Sequence, residues 1–70
     1  VVKLKNNIRN VRRNMKLSQE ELANKCGVTR QTINAIENNK YDPTLSLAFK
    51  LSIHLNRQIE KLFFYEGENK

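Results

Sequence analysis

The sequence predicts an all-α domain of five short helices, and three observations carry that expectation. Apolar residues recur every three or four positions in successive segments, hydroxyl residues stand just ahead of three of those segments, and Gly27 separates the second from the third. Seventy residues make one domain, 1–70. A chain of this length buries only about 60% of its unfolded surface, so its core is thin and self-association would extend it.

Val1 to Lys5 alternates, with Val2 and Leu4 on one side and Lys3 and Lys5 on the other. This fits a half-buried strand, and a frayed terminus is the competing reading. Helix 1 is expected over Asn6–Met15, where Ile8, Val11 and Met15 form one stripe. Asn6 or Asn7 can cap it. Arg9 and Arg13 read as a solvated face.

Helix 2 opens on the capping box Ser18-x-x-Glu21, with Leu17 and Leu22 in staple positions. Leu22, Ala23 and Cys26 face inward, and Gly27 can take the left-handed conformation that ends a helix. Helix 3 restarts at once, capped by Thr29. The two-residue break plus cap matches a helix-turn-helix over about residues 18–37, with near-perpendicular axes. Asn38 to Pro43 reads as a polar loop. Thr44 caps helix 4, which runs to about Leu55 with Leu45, Ala48, Leu51 and Leu55 as its stripe and Leu47 and Phe49 widening it. Helix 5 covers about Gln58 to Leu62, with Ile59 and Leu62 inward. Phe63, Phe64 and Tyr65 are strand-prone, and Gly67 to Lys70 reads as frayed.

The net charge is +6, and it is unevenly placed. Residues 1–40 hold nine basic and three acidic side chains; residues 41–70 hold four of each. A basic half-domain points to a polyanion, either nucleic acid or an anionic membrane surface, with a simple solubility charge as the bland alternative. Cys26 is the single cysteine and His54 the single histidine, which excludes an internal disulfide and the usual zinc-finger frameworks. No apolar run approaches a membrane span, and no signal-peptide pattern opens the chain, so the expected compartment is the cytoplasm. No cofactor, metal or small-molecule ligand is expected.

On a wheel with Arg30 at zero, Asn34 falls at about 40°, Asn38 at about 80°, Gln31 at about 100° and Ala35 at about 140°. Ile36 and Ile33 fall opposite, at about 240° and 300°. One side of helix 3 therefore packs down. The other carries groups suited to base edges: arginine can donate twice to guanine, and glutamine or asparagine can pair twice with adenine. Double-stranded DNA is thus the expected partner, with Arg30, Gln31 and Asn34 as base contacts. Gln19, Thr29, Thr32, Asn38, Asn39 and Lys40 are the expected backbone contacts, because helix N-termini and polar side chains hold phosphates.

The residues Ile8-x-x-Val11-Arg12, Leu17-Ser18-Gln19-Glu20-Glu21-Leu22-Ala23, Gly27-Val28-Thr29, Ile33-x-x-Ile36-Glu37-Asn38 and Pro43-Thr44 together resemble the phage-repressor, or Cro/C1-type, helix-turn-helix family. The run from Thr29 to Pro43 is similar to very short regulators of that family, including the cytolysin-operon repressor. The resemblance implies a five-helix phage-repressor-like domain that binds a two-fold operator as a homodimer. It implies a backbone-clamping role for Gln19, base reading by Arg30, Gln31 and Asn34, and a structural ion pair between Arg12 and Glu37. It also implies a small two-stranded antiparallel sheet formed by the chain ends. Two positions depart from the family pattern: Asn39 where glycine is common, and Arg57 where serine or threonine usually starts helix 5.

Leu62, Phe63, Phe64 and Tyr65 are too apolar for a free tail. Residues 56–66 therefore read as a dimerisation segment in which some of these four join the core and Phe64 or Tyr65 crosses to a second subunit. A repressor acting by occupying its operator is the first functional reading. The alternative is an antitoxin-type module that neutralises a small protein partner and represses its own operon; an adjacent toxin gene would discriminate. An enzyme is disfavoured because no nucleophile stands beside a base. A membrane-surface role is disfavoured because the apolar stripe of helix 1 is needed for the core.

Overall fold

The computed structural model describes residues 3–66. Val1 and Val2 of the alternating segment, and the stretch 67–70 read as frayed, lie outside the described residues. The order is β1 (Lys3–Asn6), α1 (Ile8–Asn14), α2 (Gln19–Cys26), α3 (Arg30–Glu37), α4 (Leu45–Leu55), α5 (Ile59–Leu62) and β2 (Phe63–Glu66). All five expected helices are present. The chain ends pair as a two-stranded antiparallel sheet in the register Lys3↔Glu66, Leu4↔Tyr65, Lys5↔Phe64 and Asn6↔Phe63.

Local chemistry sets the helix starts. Ser18 accepts from the Glu21 main-chain N–H while the Glu21 carboxylate accepts from the Ser18 N–H, a complete capping box. Thr29 and Thr44 accept from the N–H groups of Thr32 and Leu47. Gly27 ends α2 at φ +71°, and the Val28 N–H returns to the Ala23 carbonyl at 3.0 Å. A Cβ at Gly27 would meet nothing within 4 Å, so glycine is required there by backbone conformation rather than by crowding.

The core is Ile8, Leu22, Ala23, Cys26, Ile33, Ile36, Leu47, Leu51, Leu55 and Leu62. It locks α2 against α3 and seats α2 on α4. Burial pushes the Cys26 thiol up from its ordinary pKa, against a smaller opposing effect of Lys50.

Four expectations need correction. Helix 1 begins at Ile8 and ends at Asn14, two residues later and one residue earlier than expected. Asn7 occupies its cap position without a side-chain bond; Asn6, the last residue of β1, supplies the oxygen to the Ile8 N–H at 3.1 Å. Met15 is exposed because the chain turns out of the helix there through Lys16 at φ +61°. In α4, Leu45 and Phe49 are exposed, and Leu47 is the core residue in place of Leu45. That helix carries apolar residues all round, so several stripes fit the same spacing. Leu62 is fully buried within its own chain, which makes it core rather than a surface for a second subunit.

Asn39, at one of the two departures from the family pattern, takes φ +60°, a left-handed position that asparagine tolerates. At the other, Arg57 precedes a short α5 that has no side-chain cap.

Candidate nucleic-acid interface

Arg12 joins the three helices of the site. Its Nε donates to Glu37 Oε2 at 2.6 Å and its Nη2 to Glu37 Oε1 at 3.2 Å, binding α1 to the last residue of α3. Its Nη1 donates to the Leu17 carbonyl at 2.8 Å, just ahead of α2. The angle of the helix-turn-helix is thus fixed by one guanidinium as well as by the apolar core.

Glu37 collects further donors. Arg9 Nε lies 3.3 Å and Gln19 Nε2 3.0 Å from Glu37 Oε1, and the carboxylate side chain has no exposed surface. Burial alone would push this carboxyl up. The bonds from Arg12 and Gln19, the charge of Arg12 and the bond from Arg9 outweigh it and hold the pKa below the ordinary 4.5.

Above this buried centre the polar groups continue outward. Gln19 Nε2 also donates to Asn34 Oδ1 at 3.1 Å. Asn38 Nδ2 donates to the Asn34 carbonyl at 2.9 Å and to Asn34 Oδ1 at 3.2 Å, while Arg9 Nη2 donates to Asn38 Oδ1 at 2.8 Å. Arg30, Gln31 and Asn34 are all exposed on one side of α3. Among the described residues, no side-chain hydrogen bond holds Arg30 or Gln31. Arg9, Arg12, Arg13 and Arg30 line a cleft with Ser18, Gln19, Glu20 and Asn34, so cations outnumber carboxylates in its lining.

The remaining expected contact residues are distributed unevenly. Thr29 and Thr32 sit at the start of α3 with their hydroxyls 3.1 Å apart. Lys40 is exposed just beyond α3. Asn39 is half-buried, and its Oδ1 accepts from Asn6 Nδ2 at 3.4 Å, so this side chain turns toward β1. Both amide hydrogens of Gln19 are used inside the protein, leaving the main chain at the first turn of α2 to meet a phosphate. Two arginines that had read as solvent-facing belong to this region: Arg9 as the third partner of Glu37 and Arg13 as a wall of the cleft. Their spacing of four on α1 placed them on one face, and only the fold shows what that face adjoins.

Among the described residues there is no group of three or more His, Cys, Asp and Glu side chains that could hold a metal, and no helix long and apolar enough to cross a membrane. Two helices joined at Gly27, the second presenting an exposed polar face beside an arginine-lined cleft, define a DNA-binding helix-turn-helix domain.

Comparison with known proteins agrees. The chain matches the helix-turn-helix family over residues 8–62 and belongs to that family, in its Cro/C1-type branch. It is 49% identical over 65 residues to an uncharacterised HTH-type transcriptional regulator of Methanocaldococcus jannaschii, covering 93% of this chain and 98% of that one. Among solved structures, a protein from Bacteroides fragilis superposes with a TM-score of 0.79 at 26% identity, covering 87% of this chain and 98% of that chain. The restriction-modification controller protein of Aeromonas hydrophila superposes with a TM-score of 0.72 at 28% identity, covering 77% of this chain and 78% of that chain. The chain is therefore a DNA-binding transcriptional regulator and not an enzyme.

Proposed function

We propose that the protein is a cytoplasmic repressor that binds a palindromic operator as a homodimer, with α3 in the major groove of each half-site. The observation that carries this reading is the exposed face of α3, which presents Arg30, Gln31 and Asn34, with Arg30 and Asn34 lining the arginine-rich cleft. Arginine and carboxamide side chains supply the donors and acceptors that distinguish base pairs in the major groove. Thr29, Thr32, Lys40 and the first turn of α2 at Gln19 would grip phosphates on either side and set the register, whereas the side chains of Asn38 and Asn39 are engaged within the protein. Repression is steric: an occupied operator excludes polymerase.

Two exposed apolar sets support self-association. Phe64 and Tyr65 lie on β2, and Leu45, Phe49 and Ile53 lie four residues apart along the outer face of α4. We assign the dimer contact to Phe64 and Tyr65, with Phe63 packed inward behind them against the core.

Chemical footprinting on a bound duplex tests the groove assignment. Protection of guanine N7, which faces the major groove, is the expected result. Protection confined to adenine N3, in the minor groove, would contradict it.

A further inference from the structure

Asn34 sits among the base-reading candidates, and the way its amide is held decides what it can offer DNA. This inference rests on the reading that α3 faces base edges. Two neighbouring groups have a polarity fixed by their chemistry: the Glu37 carboxylate only accepts and the Arg9 guanidinium only donates. The Gln19 amide atom 3.0 Å from Glu37 Oε1 must therefore be its nitrogen. That same nitrogen lies 3.1 Å from the Asn34 side chain, so Asn34 must turn its oxygen toward it. The second chain of contacts starts from Arg9. Its Nη2 lies 2.8 Å from Asn38, which fixes the Asn38 oxygen there. The Asn38 nitrogen is then left facing the Asn34 main-chain carbonyl at 2.9 Å and Asn34 Oδ1 at 3.2 Å.

Both chains thus lead to the same orientation. Asn34 Oδ1 accepts from Gln19 and from Asn38, which occupies its two lone pairs. Turning the amide over would set three nitrogens against one another and break both bonds.

We propose that Asn34 meets DNA as a donor only, through Nδ2, and that Gln19 and Asn38 are positioning residues that impose this polarity. The consequence is a change of specificity. The two-bond pairing of asparagine with adenine needs a donor to N7 and an acceptor for the N6 amino group. A donor-only Asn34 cannot complete it. It suits guanine, which presents N7 and O6 as neighbouring acceptors, whereas adenine and thymine present one each. The adenine pairing expected from residue type alone is therefore withdrawn for Asn34, while Gln31 keeps it.

The test uses the full chain and a duplex enriched from a random DNA pool. Asn34→Ala first identifies the base pair whose preference it levels. Competition among the four bases at that pair should favour guanine over adenine by about tenfold or more. In Gln19→Ala/Asn38→Ala the oxygen is released, and adenine should gain at that pair by a similar factor, with no change at the pair that Arg30→Ala relaxes. A uniform loss of phosphate contacts does not move these ratios. Gln19→Ala alone frees one lone pair and should shift the ratio the same way, which keeps the test available if the double variant fails to fold. Adenine preferred by the unmodified protein, or a ratio unmoved in the folded variants, overturns donor-only readout while leaving base reading by α3 intact. If Arg30→Ala relaxes its own pair and no pair responds to Asn34→Ala, then Asn34 does not read bases, and the proposal falls with that assignment. A pool that yields no enriched duplex overturns the reading of α3 as well.

Discussion

Arg12 Nε donates to Glu37 Oε2 at 2.6 Å, and the two side chains are 8% and 0% exposed. A buried pair of this kind is weak evidence of net stabilisation, but removing Arg12 leaves the buried Glu37 carboxylate with Arg9 and Gln19 as its remaining donors. Arg12→Ala should therefore destabilise the domain by about 3–5 kcal/mol, measured as a shift in urea midpoint. Arg9→Ala, at a 40% exposed side chain that shares the same carboxylate, should cost clearly less. Equal losses would mean that Arg12 has no special place in joining α1 to α3.

Acid should unfold the protein through the same centre. The Glu37 pKa is lowered in the folded state, so its contribution is fully present above the ordinary value of 4.5. It is lost as pH falls through 4.5 and then through the folded value. Thermal melts between about pH 6 and 3 should show stability falling toward acid, and Glu37→Gln should flatten that dependence. A variant whose melting temperature follows pH as the unmodified protein does would show that Glu37 is not the titrating group.

Contacts that read bases and contacts that hold phosphates should separate by their response to sequence and to salt. Arg30→Ala and Gln31→Ala should each relax one position of the preferred sequence at a cost of about 1–3 kcal/mol. Lys40→Ala should weaken all sequences alike and reduce the slope of log affinity against log salt by about 0.9. Binding titrations at several salt concentrations on matched and mismatched duplexes check both. A Lys40→Ala effect confined to one sequence would reverse its assignment.

Self-association should depend on the outer apolar side chains. Sedimentation at high micromolar concentration without DNA should give a dimer, and Tyr65→Asp should give a monomer, since Tyr65 is 73% exposed. Should Tyr65→Asp stay dimeric while Phe49→Asp becomes monomeric, the contact lies on α4 instead. A monomeric unmodified protein contradicts the dimer altogether.

Much of this fold was legible because its signals are local. Ser18, Thr29 and Thr44 cap main-chain groups three residues away, and Gly27 ends α2 through its own backbone, so each is readable from a short window. The wheel placed Ile33 and Ile36 inward and Arg30, Gln31 and Asn34 outward because α3 has one apolar side. On α4 the spacing placed Ala48, Leu51 and Leu55 inward and missed at Leu45 and Phe49, because apolar residues surround that helix and the packing of α2 and α5 chooses among them. Long-range polar bonds were also out of reach. Asn6 Nδ2 donates to the Ile36 carbonyl across thirty positions. The amide orientation of Asn34 depends on Arg9 and Gln19, residues that no local pattern connects to it.

Two copies of α3 are expected to read DNA symmetrically. Selection of bound duplexes from a random pool tests it most directly. The expected result is an enriched palindrome whose half-sites are centred one helical turn, about 34 Å, apart, with enrichment that changes at one position per half-site in Arg30→Ala. Absence of any enriched sequence, or an enriched sequence without two-fold symmetry, would contradict it.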